Sequence, residues 1–172
     1  YKDVRDVDQD DFEGFDTVIH LAAISNDPMG KEFETVTNEI NYQSSIKIAN
    51  LAKSSKVKNY VFASSCSVYG EASEFAKKED DDLNPLTAYA KSKIDTEKEV
   101  AGLASEEFVV TCLRFATACG FAARTRLDLV LNDFVAAAIA DDTIRILSDG
   151  SPWRPLIHVS DMGLSLIHIS EP

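Results

Sequence analysis

Cysteine is scarce in this sequence, and long apolar stretches are missing. The three cysteines, Cys66, Cys112 and Cys119, are odd in number, and no pair has Cys-x-x-Cys spacing. This argues against a disulfide framework or a zinc site, and it favours reduced thiols in the cytoplasm. No apolar run approaches the length of a membrane span. With 45% hydrophobic and 27% charged residues, the 172-residue chain has the composition of a soluble globular protein with a real core.

Positive charge is also in short supply, and it is unevenly distributed. The net charge of −12 argues against a nucleic-acid partner, which requires a basic surface. No lysine follows Lys98, but five of the six arginines lie in the last third of the chain. They are Arg114, Arg124, Arg126, Arg145 and Arg154. Guanidinium groups match phosphate oxygens, so this acidic chain can still hold an anionic ligand locally. The alternative is a set of solvated surface arginines, which is favoured for Arg145.

Apolar β-branched runs alternate with helical patterns along the chain. The predicted strands are 17–21, 60–64 and 108–115, and the predicted helices are about 34–53 and 88–103. Thr87 is expected to cap the second helix, and His20 is expected to be a hydrogen-bonded core histidine. A further helix is predicted at Leu127–Ala140 and a short strand at Thr143–Leu147. Strands separated by helices are typical of a parallel α/β sheet.

One stretch, residues 64–93, contains the side chains best suited to catalysis. Ser65 begins a turn at the end of a predicted strand, and Tyr89 and Lys93 are four residues apart on one face of a predicted helix. An ammonium group beside a phenol favours the phenolate, which would let Tyr89 exchange a proton with a substrate hydroxyl near neutral pH. Ser65 could hold the same oxygen by a hydrogen bond. This spacing also occurs by chance on many helices, so the spacing alone leaves that alternative open.

The motifs around these residues resemble those of one enzyme family. The segments Ser-Ser-Cys-Ser-Val-Tyr-Gly (64–70) and Tyr-Ala-Lys-Ser-Lys (89–93) are similar to the SSxxVYG turn and the YxxxK motif of extended short-chain dehydrogenases/reductases, the sugar-nucleotide epimerases and dehydratases. The resemblance implies a Rossmann-like, doubly wound parallel sheet, NAD as cofactor with NADP left open, no metal, a nucleotide-sugar substrate and a homodimeric parent. It also implies that Ser65, Tyr89 and Lys93 are catalytic, and that Asn41 supports the active site.

The same resemblance implies contacts to cofactor and substrate. The cofactor contacts are Asp3, Val4, Leu21, Ala22, Ala23, Ser64, Tyr89, Lys93 and Phe115. The substrate contacts are Ser65, Thr117, Asn132 and Arg154. Arg154 matches the arginine of an RDxIHVxD segment that contacts the nucleotide diphosphate in the family. Thr117 lies in a strand-end loop, Ala116–Gly120, at a position where many members have asparagine.

The family's glycine-rich GxxGxxG turn, which holds the pyrophosphate, is absent from this sequence. We therefore expect an internal fragment, inactive by itself and incomplete at both ends. Residues 1–120 are predicted to form a partial dinucleotide-binding domain without its first strand and glycine-rich turn. Residues 121–163 are predicted to begin a substrate-binding region. Residues 164–172 are predicted to be a non-native tail, because residues 166–172 nearly repeat the segment from Leu156 to Asp161.

Two classes of function fit these motifs: an enzyme, and a non-catalytic nucleotide-binding protein of the same fold. The enzyme is favoured because Ser65, Tyr89 and Lys93 are all present. Family dehydratases and decarboxylases carry an acidic residue in the turn after the catalytic Ser or Thr. Here that turn has Cys66 and Ser67, neither of which is an acid at neutral pH. The resemblance therefore favours an epimerase that uses transient hydride transfer, or a ketoreductase, over a dehydratase.

Overall fold

Three parallel strands form the sheet around which the protein is arranged. The computed structural model describes residues 1–25, 33–70, 76–151 and 153–170. The strands, in their order across the sheet, are β1 (Thr17–His20), β2 (Asn59–Ser65) and β3 (Val109–Phe115). Tyr60 of the central strand is paired with Val18 on one side and Val110 on the other. The predicted strands and their parallel arrangement are thus confirmed, with boundaries that differ by one residue.

Helical segments connect the strands, as the alternation predicted. Helix α1 (Glu34–Asn38) continues through a π turn (Glu39–Gln43) into helix α2 (Ser44–Ser54), and helix α3 is Ala88–Ala101. Thr87 caps α3 as expected, because its side chain accepts a hydrogen bond from a backbone N–H of the first turn. The π turn was not predicted, because the apolar spacing of four residues continues through it.

The apolar core lies between α2, α3 and one face of the sheet. Its members are Phe12, Ile48, Ala49, Ala52, Val57, Tyr60, Phe62, Val100 and Phe108. Phe12 comes from a 3-10 turn (Gln9–Phe12) that is closed by a capping box with Asp8. Fully burying a large apolar side chain stabilises a fold by about 1.5–3 kcal/mol. This packing fixes α3 against β2, which determines where the residues of α3 meet the end of the sheet.

The last third of the chain forms a small second sheet with two helices. Strands β4 (Thr117–Cys119) and β5 (Leu156–His158) are parallel, and helices α4 (Val130–Asp141) and α5 (Val159–Ser170) follow them. Residues 164–170, predicted to be a non-native tail, continue α5, and residues 171 and 172 lie outside the described residues. None of the helices in the described ranges is both long and apolar enough to cross a membrane.

Two predictions for this region are wrong. Residues 143–147 form no strand, and Ile144, Ile146 and Leu147 are 49%, 61% and 98% exposed. An apolar run becomes a strand only where a neighbouring strand pairs with its backbone. In this region the segment that finds such a partner is β5, which pairs with β4. The segment Ala116–Gly120, predicted to be a loop, contains β4 instead. Its partner strand, β5, is about 40 residues further along the chain, and local sequence patterns do not reveal pairing over that separation.

Candidate active site

The turn that begins at Ser65 is built by the end of β2. Ser65 has an extended backbone, and its Oγ accepts a hydrogen bond from the N–H of Ser67 at 3.2 Å, which caps a 3-10 turn (Cys66–Tyr69). Gly70 ends the turn at a φ of 79°, and a Cβ there would lie 2.3 Å from the carbonyl oxygen of Asn84. Glycine is therefore required at this position. Because the Oγ accepts in this contact, the hydroxyl proton of Ser65 can still be donated to a ligand.

Helix α3 brings Lys93 beneath Tyr89 at the same end of the sheet. The Lys93 Nζ donates a hydrogen bond to the carbonyl oxygen of Ala63 at 2.7 Å, and it lies 5.5 Å from the ring centre of Tyr89. It also lies 4.6 Å from the ring centre of Phe62. The predicted shared face of Tyr89 and Lys93 is confirmed by this contact. The bond to Ala63 places the ammonium two residues along β2 from Ser65.

Burial changes the acid–base behaviour of this lysine. Lys93 is only 3% exposed, and desolvation lowers its pKa from 10.5 to about 8. The carboxylate of Glu97, one helical turn further along α3, acts in the opposite direction. An ammonium in these surroundings is still mainly protonated at pH 7. It can therefore supply positive charge beside the Tyr89 ring.

Asn41 lies in the π turn and connects this helix to the segment after β1. Its Oδ1 accepts from the N–H of Ile24 at 2.8 Å, and its Nδ2 donates to the carbonyl oxygen of the same residue at 2.9 Å. Its own carbonyl oxygen accepts from the hydroxyls of Ser45 and Thr96, at 2.7 and 3.1 Å. Asn41 is 1% exposed. A π turn inside an α-helix is often found at a functional site, and here it directs a buried amide to the backbone after β1.

His20 lies under the site as a buried, hydrogen-bonded residue, which confirms the prediction. Its Nε2 is 2.7 Å from the Oγ of Ser45, and its ring stacks against those of Tyr60 and Phe62. Burial, together with the nearby charge of Lys93, lowers the pKa of His20 from 6.5 to about 4. The ring is therefore neutral at physiological pH, and it has a structural role in this arrangement.

The predicted cofactor contacts fall into two groups. Leu21, Ala22 and Ala23 follow the end of β1, where Leu21 and Ala22 are exposed. Ser64 is 5% exposed, and its Oγ has no hydrogen-bond partner among the described residues. Phe115 ends β3 and is paired with Ser65. Accessible small residues and a buried, unsatisfied hydroxyl at the strand ends fit a dinucleotide that lies across the sheet.

The other predicted cofactor contacts, Asp3 and Val4, precede the first strand. The carboxylate of Asp3 binds the side chain and the backbone N–H of Arg5, and these hydrogen bonds lower the pKa of Asp3 to about 2. Val4 packs against the apolar core. In this arrangement, the Asp3 carboxylate remains on the surface, where a ligand hydroxyl can compete with Arg5 for it.

The predicted substrate contacts lie around the second sheet. The backbone N–H of Thr117 donates to the carbonyl oxygen of Pro155, whereas Arg154 is exposed. Asn132 accepts from the N–H of Gly120 at 3.2 Å and donates to the carbonyl oxygen of Arg126 at 3.0 Å. Both amide atoms of Asn132 therefore hold the loop before α4. A ligand that reached this side chain would have to exchange with a backbone group.

The surroundings of Cys66 bear on the reaction class. Burial raises the pKa of the Cys66 thiol, although the charge of Arg154 acts to lower it. The sequence flanking Cys66 contains no positively charged residue, and the structure supplies one, Arg154, from 88 positions further along the chain. The raised pKa keeps the thiol protonated at neutral pH, so it is a poor acid or base there.

Two of the five arginines from the last third of the chain belong to these surroundings. Arg126 forms a bidentate pair with Asp128 at 2.7 and 2.6 Å, and its Nη1 donates to the Oγ of Ser25 at 2.8 Å. Its charge also interacts with Tyr89. Arg114 binds Glu97 and is therefore engaged within the protein, so it is not one of the surface arginines. No sequence signal could have identified either contact with a distant element.

Among the described residues, no group of three or more His, Cys, Asp or Glu side chains is placed to hold a metal ion.

Comparisons with known proteins identify the family of this chain. The family model described as "NAD dependent epimerase/dehydratase family" matches residues 3–171. The uncharacterized UDP-glucose epimerase YtcB of Bacillus subtilis (strain 168) is 29% identical over 153 residues, which are 87% of this chain and 47% of that protein. A UDP-N-acetyl-alpha-D-glucosaminuronate decarboxylase of Bacillus cytotoxicus is 31% identical over 154 residues, 85% of this chain and 47% of that protein. The chain spans about half the length of the curated relatives it matches.

Solved structures give the same result. The UDP-N-acetylglucosamine 4-epimerase of Methanobrevibacter ruminantium M1 superposes with a TM-score of 0.88 at 26% identity, over 96% of this chain and 55% of that one. MoeE5, solved with UDP-glucose and NAD, superposes with a TM-score of 0.85 at 27% identity, over 96% of this chain and 56% of that one. The predicted Rossmann-like α/β fold is confirmed, and NAD is confirmed as the cofactor of the family. The chain belongs to the NAD-dependent epimerase/dehydratase family.

Proposed function

We propose that the protein is an NAD-dependent oxidoreductase that acts on a nucleotide sugar, and that it epimerises the sugar through transient hydride transfer. The observation that carries the proposal is the position of Lys93. Its buried ammonium lies 5.5 Å from the centre of the Tyr89 ring and donates a hydrogen bond to the carbonyl oxygen of Ala63, in the strand that ends in Ser65. The names of relatives, among them UDP-sugar epimerases, support the substrate class.

In this proposal each residue has a separate role. Tyr89 takes the proton of a sugar hydroxyl and later returns it, and the positive charge of Lys93 favours the phenolate that this requires. Ser65 donates its hydroxyl proton to the reacting sugar oxygen, because its Oγ already accepts from a backbone N–H. Bound NAD would supply hydride acceptance and return at the sugar carbon. Asn41 holds the backbone after β1, beside which the dinucleotide would lie.

The reaction class within the family follows from the turn after Ser65. A dehydratase needs an acid close to the sugar carbons beside the oxidised one. Cys66 and Ser67 offer none, because burial raises the pKa of the Cys66 thiol further above neutrality and makes it a weaker proton donor. Epimerisation needs no such acid, since only the hydride and the hydroxyl proton are removed and returned. A ketoreductase or a dehydratase is the alternative, and a non-catalytic nucleotide-binding protein is the third candidate.

The proposal extends to the whole protein. Residues 1–120 would belong to the dinucleotide-binding domain and residues 121–163 to the substrate-binding region. By resemblance to the family, we also propose a cytoplasmic homodimer whose substrate is a nucleotide sugar.

The experiment is to assay the complete gene product with UDP-glucose and other UDP-sugars, and to identify the products by mass spectrometry and NMR. An isomer of unchanged mass is expected, and Tyr89→Phe should reduce its formation by about 10²- to 10⁴-fold. Tyr1→Phe is the matched control, because Tyr1 is fully exposed. A product that has lost water would identify a dehydratase. Binding without any turnover would favour the non-catalytic alternative.

A further inference from the structure

One guanidinium group connects three elements around the candidate active site. Arg114 lies in β3, and its Nε and Nη2 bind both carboxylate oxygens of Glu97 in α3, at 3.1 and 2.7 Å. Its Nη1 donates to the hydroxyl of Tyr69 at 2.8 Å and to the carbonyl oxygen of Glu79 at 2.9 Å. The side chains of Arg114 and Glu97 are 21% and 10% exposed. The planar guanidinium of Arg114 makes these contacts in several directions at once, which a lysine ammonium could not reproduce.

The contact with Glu97 reaches Lys93 through its charge. Glu97 lies one turn after Lys93 on the same helix, and its carboxylate favours the Lys93 ammonium against the effect of burial. The other groups that face the Lys93 Nζ are the neutral ring of His20 from β1, the ring of Tyr89 from α3, and from β2 the ring of Phe62 and the carbonyl oxygen of Ala63. Glu97 is the acidic group among these neighbours. Its position therefore affects how much charge Lys93 holds.

The contact with Tyr69 reaches Ser65 through the backbone. Tyr69 is the last residue of the 3-10 turn that Ser65 caps, and the Arg114 guanidinium lies 5.2 Å from the centre of the Tyr69 ring. Arg114 is also the partner of Ser64 in the register of β2 and β3. The turn is therefore held from its far end by the same side chain that holds Glu97.

We propose that Arg114 is a positioning residue for the reaction, acting on Lys93 through Glu97 and on Ser65 through Tyr69. The inference rests on the proposed function for its catalytic consequence.

The test uses the complete protein with Glu97→Gln, Arg114→Gln and Tyr69→Phe, and with Arg145→Gln as the control at an exposed arginine. Two readouts are needed: the pKa of Lys93, measured by NMR of its side-chain nitrogen, and kcat, measured well below the unfolding midpoint of each variant. A purely structural role would change the unfolding midpoint but not the pKa. Glu97→Gln is nearly isosteric, and so it remains informative if Arg114→Gln does not fold.

We expect Glu97→Gln to lower the pKa of Lys93 by about one pH unit, because it removes the favourable charge. Arg114→Gln should raise it, because the carboxylate remains and the positive charge that partly neutralises that carboxylate is gone; an unchanged Lys93 pKa in this variant would overturn the coupling of Arg114 to Lys93. Tyr69→Phe should leave the pKa unchanged and lower kcat by about tenfold, an effect of misplacement alone. A Lys93 pKa that is equal in wild type and Glu97→Gln would overturn the inference, as would kcat values within about twofold of wild type for Tyr69→Phe. If the wild type converts no nucleotide sugar, the proposed function fails separately, and the NMR result still decides the coupling to Lys93.

Discussion

Replacing Lys93 by methionine measures how much the burial of the Lys93 ammonium lowers the free energy of unfolding. The pKa of Lys93 is lowered from 10.5 to about 8, mainly by desolvation. Because one pH unit of pKa change corresponds to about 1.4 kcal/mol, the charged side chain destabilises the folded state by about 3 kcal/mol at pH 7. This penalty is fully present below about pH 8 and disappears as the pH rises toward 10.5, where the lysine is neutral in both states.

Methionine has no charge and a similar length, so Lys93→Met removes this penalty at every pH. The variant leaves the carbonyl oxygen of Ala63 without its partner, which costs about 1–3 kcal/mol, but this cost is the same at all pH values. The free energy of unfolding of the variant minus that of the wild type should therefore be larger at pH 7 than at pH 10.5, by about 3 kcal/mol.

The assay is denaturant unfolding of both proteins at the two pH values. Lys91→Met is the matched control, because Lys91 lies on the same helix and is exposed. It should show a much smaller dependence on pH. A difference between Lys93→Met and wild type that does not change with pH would refute the claim that the ammonium is desolvated. In the complete protein the same variant should lose turnover, because the charge beside Tyr89 is gone.

Two further predictions concern the frame of the site. Asn41→Ala should destabilise the fold by about 1–3 kcal/mol, because it removes the side chain that pairs both backbone groups of Ile24. Asn50→Ala, at an exposed position, should cost less. Chemical denaturation measures both free energies of unfolding, and equal losses would contradict the prediction. Gly120→Ala should lower the thermal midpoint more than Gly150→Ala. Both glycines have positive φ, but only at Gly120 would a Cβ meet a histidine ring, at 2.5 Å, adding about 1–3 kcal/mol of overpacking; equal midpoints would count against the contact.

Local rules were enough for the parts of the site that lie within one element. The spacing of Tyr89 and Lys93 follows from helix geometry, and the apolar run before Ser65 predicts the strand that carries it. The family motifs added roles for these residues, which the spacing alone left open. The parallel direction of the three strands, though not their order across the sheet, also followed from the alternation of elements along the chain.

The rest depended on contacts between distant segments. Arg126 meets Ser25 across 101 positions, and Arg114 meets Tyr69 across 45. An arginine that forms an internal ion pair has the same sequence signature as a solvated one, so composition could not distinguish them. The strand predicted at 143–147 failed for the same reason, because strand formation depends on a neighbour that local patterns do not reveal.

The π turn at Glu39–Gln43 makes this helix sensitive to its length. The N–H of Ser44 bonds to the carbonyl oxygen of Glu39 five positions back, so the turn holds one residue more than an α-helical turn. Deleting Gln43, which lies between Asn41 and α2, would give a regular helix with better local hydrogen bonding. It would also rotate everything on the N-terminal side by about 100° relative to α2. Asn41 would then point away from Ile24, and the segment after β1 would lose both of its hydrogen bonds to this side chain. The irregular turn therefore weakens the helix locally but holds the end of β1 in place.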